Sequence, residues 1–222
     1  ALCWNIFQMF LMNKVILIPS IAIIAIVILS SYVLIPDNDE QISSPSNPLS
    51  ISYVDTNKEL QYDLDLFDIR MSSPLKLNGF SIDTYCTFFS DELIQNSIEY
   101  CTSTELLDSK DQYLGNVQMV GSNAFPGYVI GVMQSDSSVS QLDDIKIIVN
   151  SMIKYVICDC WDEKKPGNFE SVSSWIDAAN LHHLENTSVT SKSTINGLTE
   201  KPILLEITTN ENGYLWKFLI TN

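Results

Sequence analysis

The longest apolar run of the chain lies near its start. Val15 to Ile35 reads VILIPSIAIIAIVILSSYVLI, 21 consecutive residues without a charge. As a helix this run spans roughly 31 Å, against about 30 Å for the hydrocarbon core of a bilayer. Ser20, Ser30 and Ser31 can bond back to helix carbonyls, Tyr32 suits the interface, and Pro19 falls in the first turns, where proline costs least. A cleavable signal peptide has an apolar stretch of about 7–15 residues ending at a small-residue site. Here Tyr32-Val33-Leu34-Ile35 follow the serines, so the segment is predicted to be an uncleaved, single-pass transmembrane helix. Lys14 precedes it, whereas Asp37, Asp39 and Glu40 follow. The positive-inside bias therefore predicts a cell-membrane protein whose C-terminal part is extracytoplasmic. Residues 1–14 form a short inner segment, too short for a folded output module, and residues 1–11, ahead of Met12, are candidates for an upstream extension of the reading frame. Residues 36–50, PDNDEQISSPSNPLS, have no apolar period and read as a linker. Residues 51–222 are the expected folded domain.

Within that domain the hydrophobic pattern predicts both strands and helices. Ile203–Glu211 and Tyr214–Thr221 alternate around Asn212-Gly213, whose tolerance of positive φ suits a two-residue hairpin turn. Centring the turn there places Ile207 opposite Phe218, Leu205 opposite Ile220 and Thr208 opposite Lys217. Tyr113–Val120 and Gly127–Gln134 read as a second antiparallel pair. Glu59–Phe67 reads as another strand, because Leu60, Tyr62, Leu64 and Leu66 alternate with Gln61, Asp63 and Asp65. Helical spacing appears in Leu142, Ile145, Val149, Met152 and Val156, behind a capping-box pattern at Ser140 and Asp143. Phe169, Val172, Ile176 and Ala179, beside Trp175, predict a second helix capped by Asn168, and Ser90 to about Cys101 a short third one. Antiparallel strands and about three helices, without regular βαβ alternation, predict an α+β domain.

Charge narrows the function classes. The chain carries 27 acids and 12 bases, a formal charge of -15, and residues 51–222 alone hold 24 of the acids and 11 of the bases. A surface so poor in cations cannot neutralise a phosphate backbone, so nucleic acid is excluded as a partner. The expected partners are the membrane, through residues 15–35, and a basic protein or the subunits of a membrane complex.

Cys86, Cys101, Cys158 and Cys160 all fall in the expected outer domain, where an oxidising compartment favours two disulfides. A Cys158–Cys160 bond would close a very tight ring, so each of these two is expected to reach one of Cys86 and Cys101. The competing chemistry is a soft copper or zinc site, or a redox site, at Cys158 and Cys160, completed by His182 and His183, the two histidines of the chain. His183 falls on the apolar stripe of its helix, which predicts a packed ring; His182 is expected in solvent. Asp63, Asp65 and Asp68 are the densest carboxylates and read as a solvated strand face. Asn186-Thr187-Ser188 is a glycosylation sequon, with Asn186 as acceptor. No serine-hydrolase signature and no phosphate-cradling glycine loop occurs.

The anchor, the acidic outer domain, the single arginine (Arg70) and the runs CDCW, SVSSWIDAA and GYLWKFLI resemble small membrane-anchored surface proteins of ammonia-oxidising archaea. That resemblance implies a compartment and no activity. The expected function is a membrane-anchored, non-enzymatic binding or interaction domain without a cofactor. The alternative is a thiol-dependent or metal-using extracytoplasmic enzyme at Cys158, Cys160, His182 and His183.

Overall fold

The computed structural model describes residues 49–186 and 188–221. The expected span 15–35, its inner flank 1–14 and all but the last two residues of the linker lie outside them. Among the described residues no helix is long and apolar enough to cross a membrane.

Eight antiparallel strands make one sheet: β1 (Arg70–Met71), β2 (Leu75–Asn78), β3 (Tyr100–Leu107), β4 (Tyr113–Gly121), β5 (Pro126–Ser135), β6 (Thr190–Ile195), β7 (Ile203–Asn210) and β8 (Gly213–Thr221). Their order is β1-β3-β4-β5-β8-β7-β6, with β2 beside β1 on the same edge of β3. Among the described residues six helices accompany them, α1 (Tyr53–Asp65), α2 (Phe80–Tyr85), α3 (Glu92–Asn96), α4 (Leu142–Val156), α5 (Trp161–Lys164) and α6 (Val172–Glu185). The domain is α+β with an antiparallel sheet, as expected, but with twice the expected number of helices.

The largest correction falls on residues 59–67, which are the end of a helix (to Asp65) and the turn after it rather than extended. Ser52 caps α1 by accepting from the Asp55 amide at 3.4 Å. The buried stripe is Tyr53, Thr56, Asn57, Leu60, Asp63 and Leu64, at steps of three and four. Three of those six are polar, which hides the helical period. Tyr62 and Leu66, which completed the apparent strand alternation, are 69% and 64% exposed.

One face of the sheet packs against α1, α4 and α6 in the main core. Trp175 of α6 is fully buried, 6.2 Å from the Phe218 ring of β8 and 6.0 Å from Trp161 of α5. The opposite face carries a smaller layer over β3–β5, in which Leu77, Ile82, Phe89, Ile94 and Ile98 cover Val120, Tyr128 and Ile130. A disulfide joins Cys86 to Cys101 inside that layer, with Cα atoms 6.5 Å apart. The other pair is Cys158 with Cys160, at 5.2 Å, the pairing that ring closure argued against. Cys158 and Cys160 follow α4 on the main-core side, so the sheet stands between them and Cys86 and Cys101. No crossed pairing can pass through it.

Local caps also differ from expectation. Ser140 donates to the Asp136 carboxylate at 2.6 Å instead of capping α4, and the cap residue Gln141 accepts from the Asp136 amide at 3.0 Å rather than from the helix. Helix α6 opens with a reciprocal Ser171–Ser174 capping box rather than at Asn168. In the β7–β8 hairpin Asn210 pairs with Gly213, Leu205 with Phe218 and Ile207 with Trp216. The register is two residues from the expected one, an even shift that leaves every side chain on its expected face.

Candidate functional site

The candidate residues drawn from the sequence do not assemble. His183 is 3% exposed, and both ring nitrogens are engaged: Nδ1 lies 2.8 Å from Ser191 Oγ on β6 and Nε2 2.9 Å from Thr209 Oγ1 on β7. Its edge meets the Tyr214 ring at 5.5 Å. A neutral imidazole satisfies this arrangement, donating from one nitrogen and accepting at the other. Burial, helped by neighbouring His182, pushes the His183 pKa below its ordinary value. His182 is exposed, as is Asn186, whose side-chain amide donates back to the His182 carbonyl at 2.6 Å. Cys158 and Cys160 are half-buried and bonded to each other. Among the described residues no group of three or more His, Cys, Asp or Glu side chains is placed to hold a metal ion.

The His183 arrangement makes a prediction about pH. The folded-state pKa lies below the unfolded one, so the unfolded chain takes up the proton first. His183 therefore supports stability fully above the unfolded value of about 6.5, and that support is lost as pH falls from there toward the folded value. The urea midpoint is expected to fall across this window, and His183→Gln to flatten the slope. An unchanged slope in the variant would remove His183 as its source.

Asp63 was expected on a solvated strand; it sits instead 6% exposed at the α1–α4 contact. Its carboxylate accepts from Ser151 Oγ at 2.7 Å, Lys154 Nζ at 2.9 Å and Tyr155 Oη at 3.1 Å. With three donors from one neighbouring helix, the group is a structural clamp with no free lone pair aimed at a cavity.

Three clefts among the described residues bear on a binding role. One, about 360 Å³, is a shallow depression around Gly79, Phe80, Asp83 and Glu99, with two carboxylates in its wall. A second, about 210 Å³, runs between α6 and strands β6 and β7; its one lysine, Lys192, is tied to Glu206 at 3.3 Å. The third, about 160 Å³, opens between α1 and the β1–β2–β3 edge.

This third cleft has the composition of a binding site. Its apolar wall is formed by Tyr53, Val54, Met71, Pro74 and Tyr100, the two tyrosine rings meeting edge-on at 4.8 Å. Tyr53 is anchored by donating its hydroxyl to the Ser122 carbonyl at 2.8 Å, and Gln61 by donating to the Met71 carbonyl at 3.3 Å. Asn57 accepts from Thr104 Oγ1 at 3.0 Å and donates to the Tyr53 carbonyl at 2.8 Å. The inner wall is thus held rigidly by satisfied polar groups. One group is not satisfied: Thr102, 2% exposed, carries a buried hydroxyl with no hydrogen-bond partner among the described residues. Of the four such buried atoms, Thr102 Oγ1 is the one whose residue lines any of these three clefts. At the mouth stand Lys58 and Lys76, both exposed and neither within salt-bridge distance of a carboxylate among the described residues. No acid lines the cleft.

Reading residues 59–67 as a strand conceals this site, because it separates Tyr53, Asn57 and Gln61 onto unrelated positions. The available signal was Ser52 followed by Tyr53, Thr56, Asn57, Leu60 and Leu64, a cap and then helical spacing. Compared with known proteins, the chain matches no family model, no curated protein and no solved structure.

Proposed function

We propose that this protein is a membrane-anchored, extracytoplasmic binding domain, non-enzymatic, whose ligand site is the cleft between α1 and the β1–β2–β3 edge. The observation that carries the reading is the unpartnered, buried Thr102 hydroxyl in the lining of a preformed cleft with rigid aromatic walls. A buried polar group without a partner costs about 1–3 kcal/mol, and a ligand that supplies the missing partner recovers part of that cost. Sites of this kind combine an apolar wall with a few placed polar groups.

The anchoring half of the reading rests on the uncharged run 15–35 and on Lys14 against Asp37, Asp39 and Glu40. The domain outside the cleft is strongly acidic, which suits a basic protein partner or subunits of a membrane complex. The cleft is the local exception to that field.

Two measurements test the two halves. Protease treatment of intact cells is expected to remove the outer domain and leave a membrane-retained N-terminal fragment; full-length protein in the soluble fraction would refute the anchor. For the cleft, a panel of small mixed polar and apolar probes is screened by ligand-detected NMR on the full chain in micelles. Val54→Trp, at a 51% exposed position of the cleft rim, is expected to block every probe that binds the parent. Binding unaffected by that variant would place the site elsewhere.

A further inference from the structure

The composition of the cleft lining goes beyond the statement that something binds there, and this inference rests on the cleft reading above. We infer that the ligand is a small organic acid with an aromatic or branched apolar body, its carboxylate at the mouth and a second polar group at the floor.

Charge is the first argument. In a chain with 27 acids and 12 bases, a randomly placed cleft is expected to carry more carboxylates than lysines. This one carries Lys58 on α1 and Lys76 on β2 facing a common opening, with no acid in the lining. Both ammonium groups lack a carboxylate partner among the described residues, so neither has to be released from an ion pair before meeting an anion. An anion entering between them gains two attractive contacts against a field that repels it everywhere else. That makes the mouth selective as well as attractive.

Size and wall chemistry supply the second argument. About 160 Å³ lies below the roughly 300–1,000 Å³ of pockets for drug-sized ligands, which favours a small ligand. The walls, Tyr53, Tyr100, Met71 and Pro74, offer ring faces and edges, a thioether and a pyrrolidine. These suit a flat or branched hydrocarbon body. At the floor, the Thr102 hydroxyl can donate or accept one bond, so the best ligand carries a hydroxyl or carbonyl distal to its carboxylate. Lys58 and Lys76 are long and exposed and Thr102 is deep, which sets this polarity of insertion.

The test uses 4-hydroxyphenylacetate, its neutral analogue 4-hydroxyphenylacetamide and phenylacetate, titrated calorimetrically into the full chain in micelles. Far-UV circular dichroism checks that each variant is folded. The acid is expected to bind saturably and at least tenfold more tightly than the amide, with affinity falling as salt rises. The double variant Lys58→Gln/Lys76→Gln, both at exposed positions, is expected to erase that tenfold preference while the amide binds as before. Thr102→Val is expected to erase the advantage of 4-hydroxyphenylacetate over phenylacetate.

Equal binding of acid and amide, with both blocked by Val54→Trp, overturns the organic-acid class and leaves the cleft reading intact. Binding of the acid that ignores Val54→Trp overturns both. No saturation by any of the three compounds overturns the organic-acid class, and the wider probe panel then judges the cleft by itself.

Discussion

Asp63→Ala is expected to destabilise the domain by about 3 kcal/mol, read as a fall in the urea midpoint at constant m-value. The carboxylate is 6% exposed and holds Ser151, Lys154 and Tyr155 of α4 against α1. Removing one partner of a buried ion pair typically costs 3–5 kcal/mol. The lower end applies here because the Lys154 side chain keeps 34% of its surface in water and can rehydrate. Burial alone would raise the Asp63 pKa, but the bonds from Ser151, Lys154 and Tyr155 outweigh it and hold the carboxyl below the usual range. The sign follows: the contribution is fully present above the unfolded value of about 3.9 and is lost as pH falls through the lower folded value. Wild type should therefore weaken through that acid window while Asp63→Ala shows less of the loss. A variant as stable as wild type at pH 7 would show that the clamp contributes nothing.

Gly213→Ala is expected to cost about 4 kcal/mol, the sum of overpacking and backbone strain, or about 10 °C in Tm for a domain of this size. Gly213 has φ +135°, and a Cβ there would stand 2.2 Å from the Ser135 carbonyl oxygen and 2.5 Å from the Asp136 carbonyl carbon. Both obstacles are main chain, so no side-chain rotation relieves them. Asn212→Ala, one residue earlier and exposed, is the control and is expected to cost under about 1 kcal/mol. If the two variants melt together, the close approach of β8 to the end of β5 is not what requires glycine.

That same glycine shows how far the sequence could be read. Asn-Gly between two alternating runs predicted the hairpin and both of its faces correctly. It did not give the register, since Gly213 serves a contact with β5 and not the turn; Glu211 and Asn212 keep ordinary negative φ. A contact 78 residues away along the chain leaves no local trace. Helices α4 and α6 and the β4–β5 pair were legible because their buried positions are nearly all apolar. Helix α1 was not, because Thr56, Asn57 and Asp63 occupy half of its buried stripe, Asn57 and Asp63 held by partners in β3 and α4. The candidate site was hidden for the same reason: Thr102, Lys58 and Lys76 carry no motif and acquire meaning when α1 is laid across the sheet edge. The cysteines were misread through ring strain considered in isolation, whereas their pairing is decided by which side of the sheet each occupies.

The position of β8 has a consequence for how this molecule is made. It lies between β5 and β7, so the meander β3–β4–β5 and the hairpin partner β7 each keep one open edge until residues 213–221 dock. Synthesis delivers β3 to β7 first, and throughout that interval the sheet is two separate halves with sticky rims. Closure joins segments far apart along the polypeptide, which makes it a slow, late event. Until β8 docks, the facing rims of β5 and β7 have no partner, and that one strand is what joins the two parts into a continuous sheet.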